Sequence, residues 1–366
     1  MSLSAPSQTV VVRFERMTHG SRAVGRLDDG RVVLALGAAP DELALVRITR
    51  EHKTYVEGVV DQVLEPSIHR REPPCPHAKS GECGGCPWQH LTEAAQRSEK
   101  EAIVCREVER VAPEATVRPI RSDVPPFGYR RRARLGYRDS VLGYRRPAQR
   151  RIFDLTCCPV LDPALEAALP RIREAVSGGG SGNIDILVQP DGQVVYGPDA
   201  TPFAQASEGG ESCLIDLVLE AFPSDLGRIC ELFSGSGTFT IPLLNRGHSV
   251  SAWEIDRKAL KRLRRVAPAA DVHRADLLNE STPLDLGRFE GVLLDPPRGG
   301  AAVCMEAIAN TGAHIVVYVS CAPMTLCRDL QMLRDRGYRV DWVQPVDAFP
   351  QTHHIECVTV LTRTNP

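Results

Sequence analysis

His314-Ile-Val-Val-Tyr-Val-Ser-Cys-Ala-Pro323 is the stretch on which the fold turns. Its first half is an apolar, β-branched run, the composition of a strand buried on both faces of a parallel sheet. Small residues and a proline follow, so the strand stops and the chain turns there. Cys321 is thereby placed at the carboxyl end of a central strand, the side on which open α/β sheets hold their ligands. Taken alone, such a cysteine is more often a core residue, since free cysteine is among the most buried side chains. The rest of the chain decides between the two readings.

Outward from this strand, residues 212 to 366 alternate helix and strand as a doubly wound sheet does. A helix over Ser212 to Ala221 precedes a strand over Arg228 to Phe233, which opens into Ser234-Gly-Ser-Gly-Thr-Phe-Thr240. Glycines in that position let a backbone approach a ligand closely, although the third glycine of a dinucleotide fingerprint is absent. The next strand ends at Trp253-Glu254-Ile-Asp256, and an acid there commonly takes a ribose diol. Asp276 follows the third strand region, and Gly291-Val-Leu-Leu-Asp-Pro-Pro-Arg298 closes the fourth. No phosphate-cradling loop with its lysine is present. Strand ends carrying a glycine loop and three acids therefore point to an adenosine ligand without phosphates, and S-adenosylmethionine fits better than NAD or ATP.

At 366 residues the chain has room for two or three domains, and 43% hydrophobic with 25% charged residues is ordinary for a soluble protein. No apolar run approaches the ~20 residues needed to cross a bilayer, and Met1 to Thr9 lacks a signal-peptide core. A cytoplasmic monomer with no membrane partner is expected. Twelve cysteines in a reducing compartment direct attention to metal ligation or catalysis rather than disulfides.

Short β-rich segments at Thr9 to Phe14, Arg31 to Ala35, Leu43 to Thr49 and Tyr55 to Val63 suggest a small barrel of the oligonucleotide-binding kind. A proline-stiffened linker then leads to Cys75-x7-Cys83-x2-Cys86, with Gly84-Gly85 allowing a tight fold between the last two thiols. A closed site needs a fourth ligand, for which Cys105 and the Cys157-Cys158 pair are the candidates; spacing leaves zinc and iron–sulfur equally open. Arg121 to Arg151 holds ten arginines, no lysine and two acids, with Phe127, Tyr129, Tyr137 and Tyr144 among them. Guanidinium forks and flat rings suit RNA phosphates and unpaired bases. Gly178 to Gly182 reads as a flexible break, followed by a hairpin of Ile184 to Gln189 with Val194 to Tyr196.

Together these residues resemble the RNA 5-methyluridine methyltransferases over nearly the full chain. The resemblance implies a TRAM barrel in residues 1–68, a central domain with an iron–sulfur cluster and an RNA-facing region in 69–200, and a class I, Rossmann-like S-adenosylmethionine-dependent methyltransferase domain in 201–366. It implies Cys75, Cys83, Cys86 and Cys158 as ligands of a [4Fe–4S] cluster, and Gly128 to Arg134 with Gly143 to Arg146 as RNA-facing. Thr201-Pro-Phe-Ala-Gln205 stands where the family contacts its methyl donor. Gln205, Phe233, Thr238, Glu254, Asp276 and Asp295 are the implied donor contacts, Thr238 replacing the usual asparagine. Asp295-Pro-Pro-Arg298, Ser320-Cys-Ala-Pro323 and Phe349-Pro-Gln-Thr-His-His-Ile-Glu356 match the family signatures in order, with Cys321 as nucleophile and Glu356 as base. Cys75 and Cys83 are separated by seven residues where five are usual.

The chemistry explains the pairing. C5 of uracil is a poor nucleophile until a thiolate adds at C6, and the proton left on C5 after methylation needs a base. An amino-group methyltransferase needs neither Cys321 nor Glu356 and carries an aromatic residue where Arg298 stands. A cluster-bearing RNA-binding protein with an inactive methyltransferase fold has no use for an intact cysteine and acid. A barrel together with four cluster cysteines favours 23S ribosomal RNA over uridine 54 of tRNA as the substrate.

Overall fold

The computed structural model describes residues 8–147, 149–189, 191–197, 200, 205–280 and 284–364. By contact the chain divides into two units. The first comprises Met1–Ile103, Pro125–Thr201 and Phe349–His354; the second comprises Val104–Val124, Pro202–Ala348 and Ile355–Pro366.

In the first unit, β1 (Thr9–Met17) buries Val12 and Phe14 and exposes Val11, Arg13 and Glu15 between and beside them, the period-two pattern of a strand with one wet face. With β2 (Arg22–Arg26), β3 (Val32–Leu36), β4 (Leu43–Glu51) and β5 (Tyr55–Glu65) it closes a barrel in the order β1-β2-β3-β5-β4. Closure leaves no exposed edge. The four expected segments are present; β2 is the additional one.

Next come the single turn α1 (Pro76–Lys79) and the long α2 (Glu93–Val111), which the two units share. The two-residue β6 (Thr116–Val117) belongs to the second unit. Then β7 (Arg132–Arg138), β8 (Val141–Gly143), α3 (Pro163–Val176), β9 (Ser181–Val188) and β10 (Val194–Tyr196) complete the first unit, its second sheet running β10-β9-β7-β8. Only residues 178–180 of the expected break lie between elements, because β9 already begins at Ser181.

The second unit opens with α4 (Glu208–Ala221), capped by the Ser207 hydroxyl, and continues through β11 (Arg228–Leu232), α5 (Thr240–Asn245), β12 (Ser249–Glu254), α6 (Arg257–Val266), β13 (Asp271–Arg274), β14 (Gly291–Leu294), α7 (Met305–Asn310), β15 (Ile315–Ser320), α8 (Pro323–Arg334), β16 (Tyr338–Val346) and β17 (Glu356–Arg363). Its eight-stranded sheet runs β13-β12-β11-β14-β15-β17-β16-β6. From β13 to β15 all pairings are parallel, and β17 is wedged antiparallel between β15 and β16. Val292 to Leu294 and Val316 to Val319 are fully buried, as continuous apolar runs in a doubly covered sheet require.

Helix α6 is unusual. Its inner stripe, Ala259, Leu260 and Leu263, is buried, and Leu263 packs with Ala252 and Ala267. Its outer face carries Arg257, Lys258, Lys261, Arg262, Arg264 and Arg265, all exposed, with no acid within the helix. Pairs such as Arg257/Lys261, Lys258/Arg262 and Lys261/Arg265 are one turn apart, each like-charged pair costing roughly 0.2–0.5 kcal/mol.

Candidate functional site

The parallel strands β11, β12, β14 and β15 end on one side of the sheet in the second unit. Strand β15 ends at Ser320, and Cys321 follows half-buried, just ahead of α8. Ser320 pairs with Cys357 on β17. Cys321 and Glu356, the latter the first residue of β17 and 7% exposed, are the next residues beyond that last pairing. Glu356 is therefore an inward carboxylate.

Asp295 follows β14 directly. Burial raises its carboxyl to about 7. Burial likewise lifts Glu356 to about 8, reinforced by the Asp295 charge and opposed by Arg298. The Cys321 thiol is pushed up to about 11, first by burial and then by Glu356 and Asp295, with Arg298 and its own backbone amide acting in the other direction. Cys321, Glu356, Asp295 and Arg298 thus form one electrostatic group.

A set of bonds to α8 fixes the Asp-Pro-Pro-Arg loop. Thr325 Oγ1 donates to the Arg298 carbonyl (3.0 Å), Arg328 Nη2 to the Gly299 carbonyl (2.9 Å), and the Ala301 amide to Asp329 Oδ2 (2.7 Å). The Tyr318 hydroxyl, inside β15, donates to the same Asp329 oxygen at 2.7 Å. Asp329 is fully buried and ties the loop after β14 to the strand that ends at Cys321. Sequence reasoning missed it.

The glycine loop after β11 bends through three left-handed residues, Phe233 (φ 62°), Gly235 (φ 55°) and Gly237 (φ 100°). Nothing lies within 4 Å of a side chain built on Gly235. Glu254 receives the Gly235 amide at 3.0 Å and the Ile255 and Asp256 amides at 2.7 and 2.8 Å, which locks loop and strand end together. Thr238 is half-buried on the loop. Glu231, also missed, is buried within β11 and raised to about 8 by burial; the Thr240 hydroxyl donates to its Oε2 at 2.6 Å. Its Oε1 and the Ser236 hydroxyl are buried with no partner among the described residues. An acid inside the apolar run Ile229 to Leu232 was the available signal.

Asp276 is exposed and lines a cavity of about 580 Å³ with Arg274, Asn279, Glu306 and Asn310. Gln205 is half-buried ahead of α4, its amide 3.4 Å from Glu211 Oε2. Thr201 to Ala204, the remainder of that expected donor segment, lie outside the described residues.

The first unit holds a second site. Cys75, Cys83, Cys86 and Cys158 line one pocket together with Arg130 and Tyr144. The chain enters it where Gly84 donates to the Arg145 carbonyl at 3.1 Å; a Cβ there would sit 2.9 Å from that oxygen. The Gly85 amide points at Cys83 Sγ (3.4 Å). Burial raises Cys86 to about 11 and Cys158 further, and the neighbouring thiols add to both. Cys157 also borders the pocket and, unlike buried Cys158, is half-buried, with His77 Nε2 3.5 Å away. Among the described residues no three such side chains gather as a single metal ion needs; the thiols surround a space.

Part of the expected RNA-facing segment lies at this pocket or is paired within the unit. Arg130 lines it and donates Nε to the Arg132 carbonyl (3.2 Å), and Tyr129 is buried with its hydroxyl 2.9 Å from the Pro350 carbonyl. The Tyr144 hydroxyl is buried without a partner among the described residues. Arg134 grips Asp185 with two nitrogens (3.1 and 2.7 Å), and Arg146 meets Glu82 at 3.0 Å.

Parallel strands β13 to β15, a glycine loop after β11, an acid at the end of β12 and an antiparallel β17 define a class I S-adenosylmethionine-dependent methyltransferase fold. A family model described as tRNA (Uracil-5-)-methyltransferase matches residues 273–364. The chain is 30% identical over 441 residues to the 23S rRNA (uracil(1939)-C(5))-methyltransferase of Methylococcus capsulatus, covering 98% of each. It is 30% identical over 454 residues to the enzyme of that description from Cupriavidus metallidurans, covering 98% of this chain and 96% of the other. The fold matches that of the Pyrococcus abyssi tRNA (uracil-54, C5)-methyltransferase with a TM-score of 0.74 and 20% identity, over 97% of this chain and 100% of that one. The chain belongs to the RNA uracil-C5 methyltransferase family, whose members are S-adenosylmethionine-dependent enzymes.

Proposed function

We propose that the enzyme methylates C5 of a uridine in 23S ribosomal RNA in the cytoplasm, with Cys321 as nucleophile and Glu356 as base. The observation that supports this reading is the β15–β17 ladder, whose last pairing, Ser320 with Cys357, leaves Cys321 and Glu356 as the next residue on each chain at the ligand end of the sheet. The Cys321 thiol gives its proton to solvent, the thiolate bonds to C6 of the uracil, and the C5=C6 π pair moves out onto the C4 carbonyl as an enolate. The N-terminus of α8, just beyond Cys321, favours negative charge on the sulfur. When bound, S-adenosylmethionine supplies the electrophilic methyl group that C5 accepts. Glu356 then takes the proton from C5, the C5=C6 bond re-forms, and the sulfur leaves. Burial raises the Glu356 carboxyl to about 8, so the carboxylate that acts as base gains in population as pH rises toward that value.

Gln205, Phe233, Thr238, Glu254, Asp276 and Asp295 are proposed to hold the methyl donor. The unpartnered Ser236 hydroxyl and Glu231 Oε1 at the glycine loop fit a ligand with polar groups of its own. Cys75, Cys83, Cys86 and Cys158 are proposed to hold a [4Fe–4S] cluster. Four thiols around one space, an amide aimed at one sulfur, a hydroxyl without a partner among the described residues and an arginine fit an anionic thiolate-bound cluster.

The ribosomal assignment is supported by the two full-length relatives at 30% identity. The test is to map 5-methyluridine in 23S rRNA and tRNA from a deletion strain, with and without the gene restored. Loss of one 23S position, regained with the natural gene but not with Cys321→Ala, is expected. Loss in tRNA moves the substrate; loss in neither overturns the proposal.

A further inference from the structure

Arg130 and Tyr144 line the thiol pocket, and a long polyanion needs cations beyond them. The exposed cations of the central stretch are partly neutralised: Arg132 and Arg134 face Asp185, and Arg146 faces Glu82. Helix α6 is the opposite case. Among the described residues none of its six cations forms an ion pair, and Arg264 makes a hydrogen bond only to the Val272 carbonyl, at 3.1 Å. The acids nearest in sequence are already engaged: Asp256 accepts the Lys258 and Ala259 amides, both at 2.8 Å, and Asp271 pairs with His273 at 2.9 Å.

The geometry points to the outer face of α6 as a second RNA-contact surface, binding the phosphate backbone of a structured RNA whose uridine is at Cys321. This inference rests on the reading that the enzyme acts on a large folded RNA. Three observations support it. The self-repelling row of charges has no internal compensation, so it suits an external polyanion better than water. A solvated face usually interleaves both signs along its i,i+4 rows, and this one does not. Finally, α6 starts at the carboxyl end of β12, the same end of the sheet as Cys321. In the order β12-β11-β14-β15 the two are three strand spacings apart, about 14 Å in the plane of the sheet. A single nucleotide in the site does not span that gap, but a folded RNA around it does. The contact is with phosphates, so it positions the RNA and carries no sequence preference.

The experiment compares the natural protein with a triple variant, Lys258→Gln, Lys261→Gln and Arg265→Gln. Affinity for a folded 23S rRNA fragment carrying the methylated uridine is measured from 0.05 to 0.5 M salt. Each lost phosphate contact should flatten the slope of log K against log salt by about 0.7–0.9, so the triple variant should lose roughly 2. Affinity should fall at least about tenfold at low salt and converge with the natural protein at high salt. S-adenosylhomocysteine binding and the melting temperature serve as controls for folding, and relief of repulsion should leave melting no lower. If the slope is unchanged while the natural protein binds the fragment, the α6 surface is overturned. If the natural protein binds tRNA but not this fragment, the ribosomal reading has failed instead, and the same slope comparison on tRNA decides the helix. Should the triple variant melt lower, the three single variants are measured, each expected to flatten the slope by just under one.

Discussion

The pocket thiols of the first unit and the single thiol at the end of β15 share a burden but differ in their neighbours. Both are pushed toward the protonated form by burial. Around Cys86 and Cys158 the further push comes from other thiols, and the charged side chain lining the pocket is Arg130. Around Cys321 it comes from the carboxylates Glu356 and Asp295. Thiols that oppose one another are relieved together when iron supplies positive charge, because a coordinated thiol gives up its proton outright. A thiol opposed by carboxylates has no such standing remedy. The first arrangement suits a permanent structural group, the second a transient bond.

The sharpest way to break this contrast is Cys321→Ala. It should lower kcat/KM by at least about 10⁴-fold, the scale on which removal of a covalent nucleophile acts. RNA and S-adenosylhomocysteine binding should persist in filter and calorimetric assays. Glu356→Gln should slow turnover by about 10²–10⁴-fold. It should also leave methylated RNA bonded to the protein, a species that survives denaturing gels and disappears when Cys321 is removed as well. An adduct mapping to Cys327 or Cys304 would reassign the nucleophile.

For the pocket, Cys158→Ser should strip anaerobically purified protein of its brown colour and most of its iron and sulfide, whereas Cys157→Ser keeps them. Stoichiometric zinc in the natural protein defeats the cluster proposal. A smaller effect separates the sites by pH. Glu356 is raised from 4.5 to about 8, so between those values the folded chain keeps a proton that the unfolded chain has lost. Its contribution to stability therefore falls as pH rises through that window. Glu356→Gln should be more stable to denaturant than the natural chain at pH 8.5, by on the order of 2–4 kcal/mol, with no difference near pH 4. Smallest of all, Tyr144→Phe should retain iron but shift the midpoint potential of the cluster to more negative values in a spectroelectrochemical titration, as loss of a hydroxyl donor beside sulfur does.

How far the sequence carries depends on how local each feature is. The strand over His314 to Val319 is legible because burial on both faces demands a continuous apolar run, and β15 is observed at Ile315–Ser320. Strand β2 is not, since Arg22-Ala-Val-Gly-Arg26 is short, flanked by charge and broken by glycine. The arginine-rich stretch has a plain composition, but its direction depends on partners far away: Asp185 is 51 residues from Arg134, and Glu82 is 64 from Arg146. Asp329 gives no sequence signal, because its role exists only once Tyr318 and Ala301 are brought to it. The cations of α6 stand in plain view, yet only the packed helix reveals that none has an acidic partner among the described residues.

The reversed direction of β17 makes its hydrogen-bond ladder a ruler. Because residues opposite each other advance in contrary senses, one pairing, Ser320 with Cys357, fixes which residue of β17 meets Cys321. A slip of one residue in either direction turns the side chains of β17 to the other face of the sheet and presents Ile355 or Cys357 where Glu356 belongs. Length changes between β15 and β17 are therefore tolerable in the surface turns around α8 and intolerable within the paired strands. A single inserted codon in β17 should silence the enzyme while leaving every side chain named above in the protein.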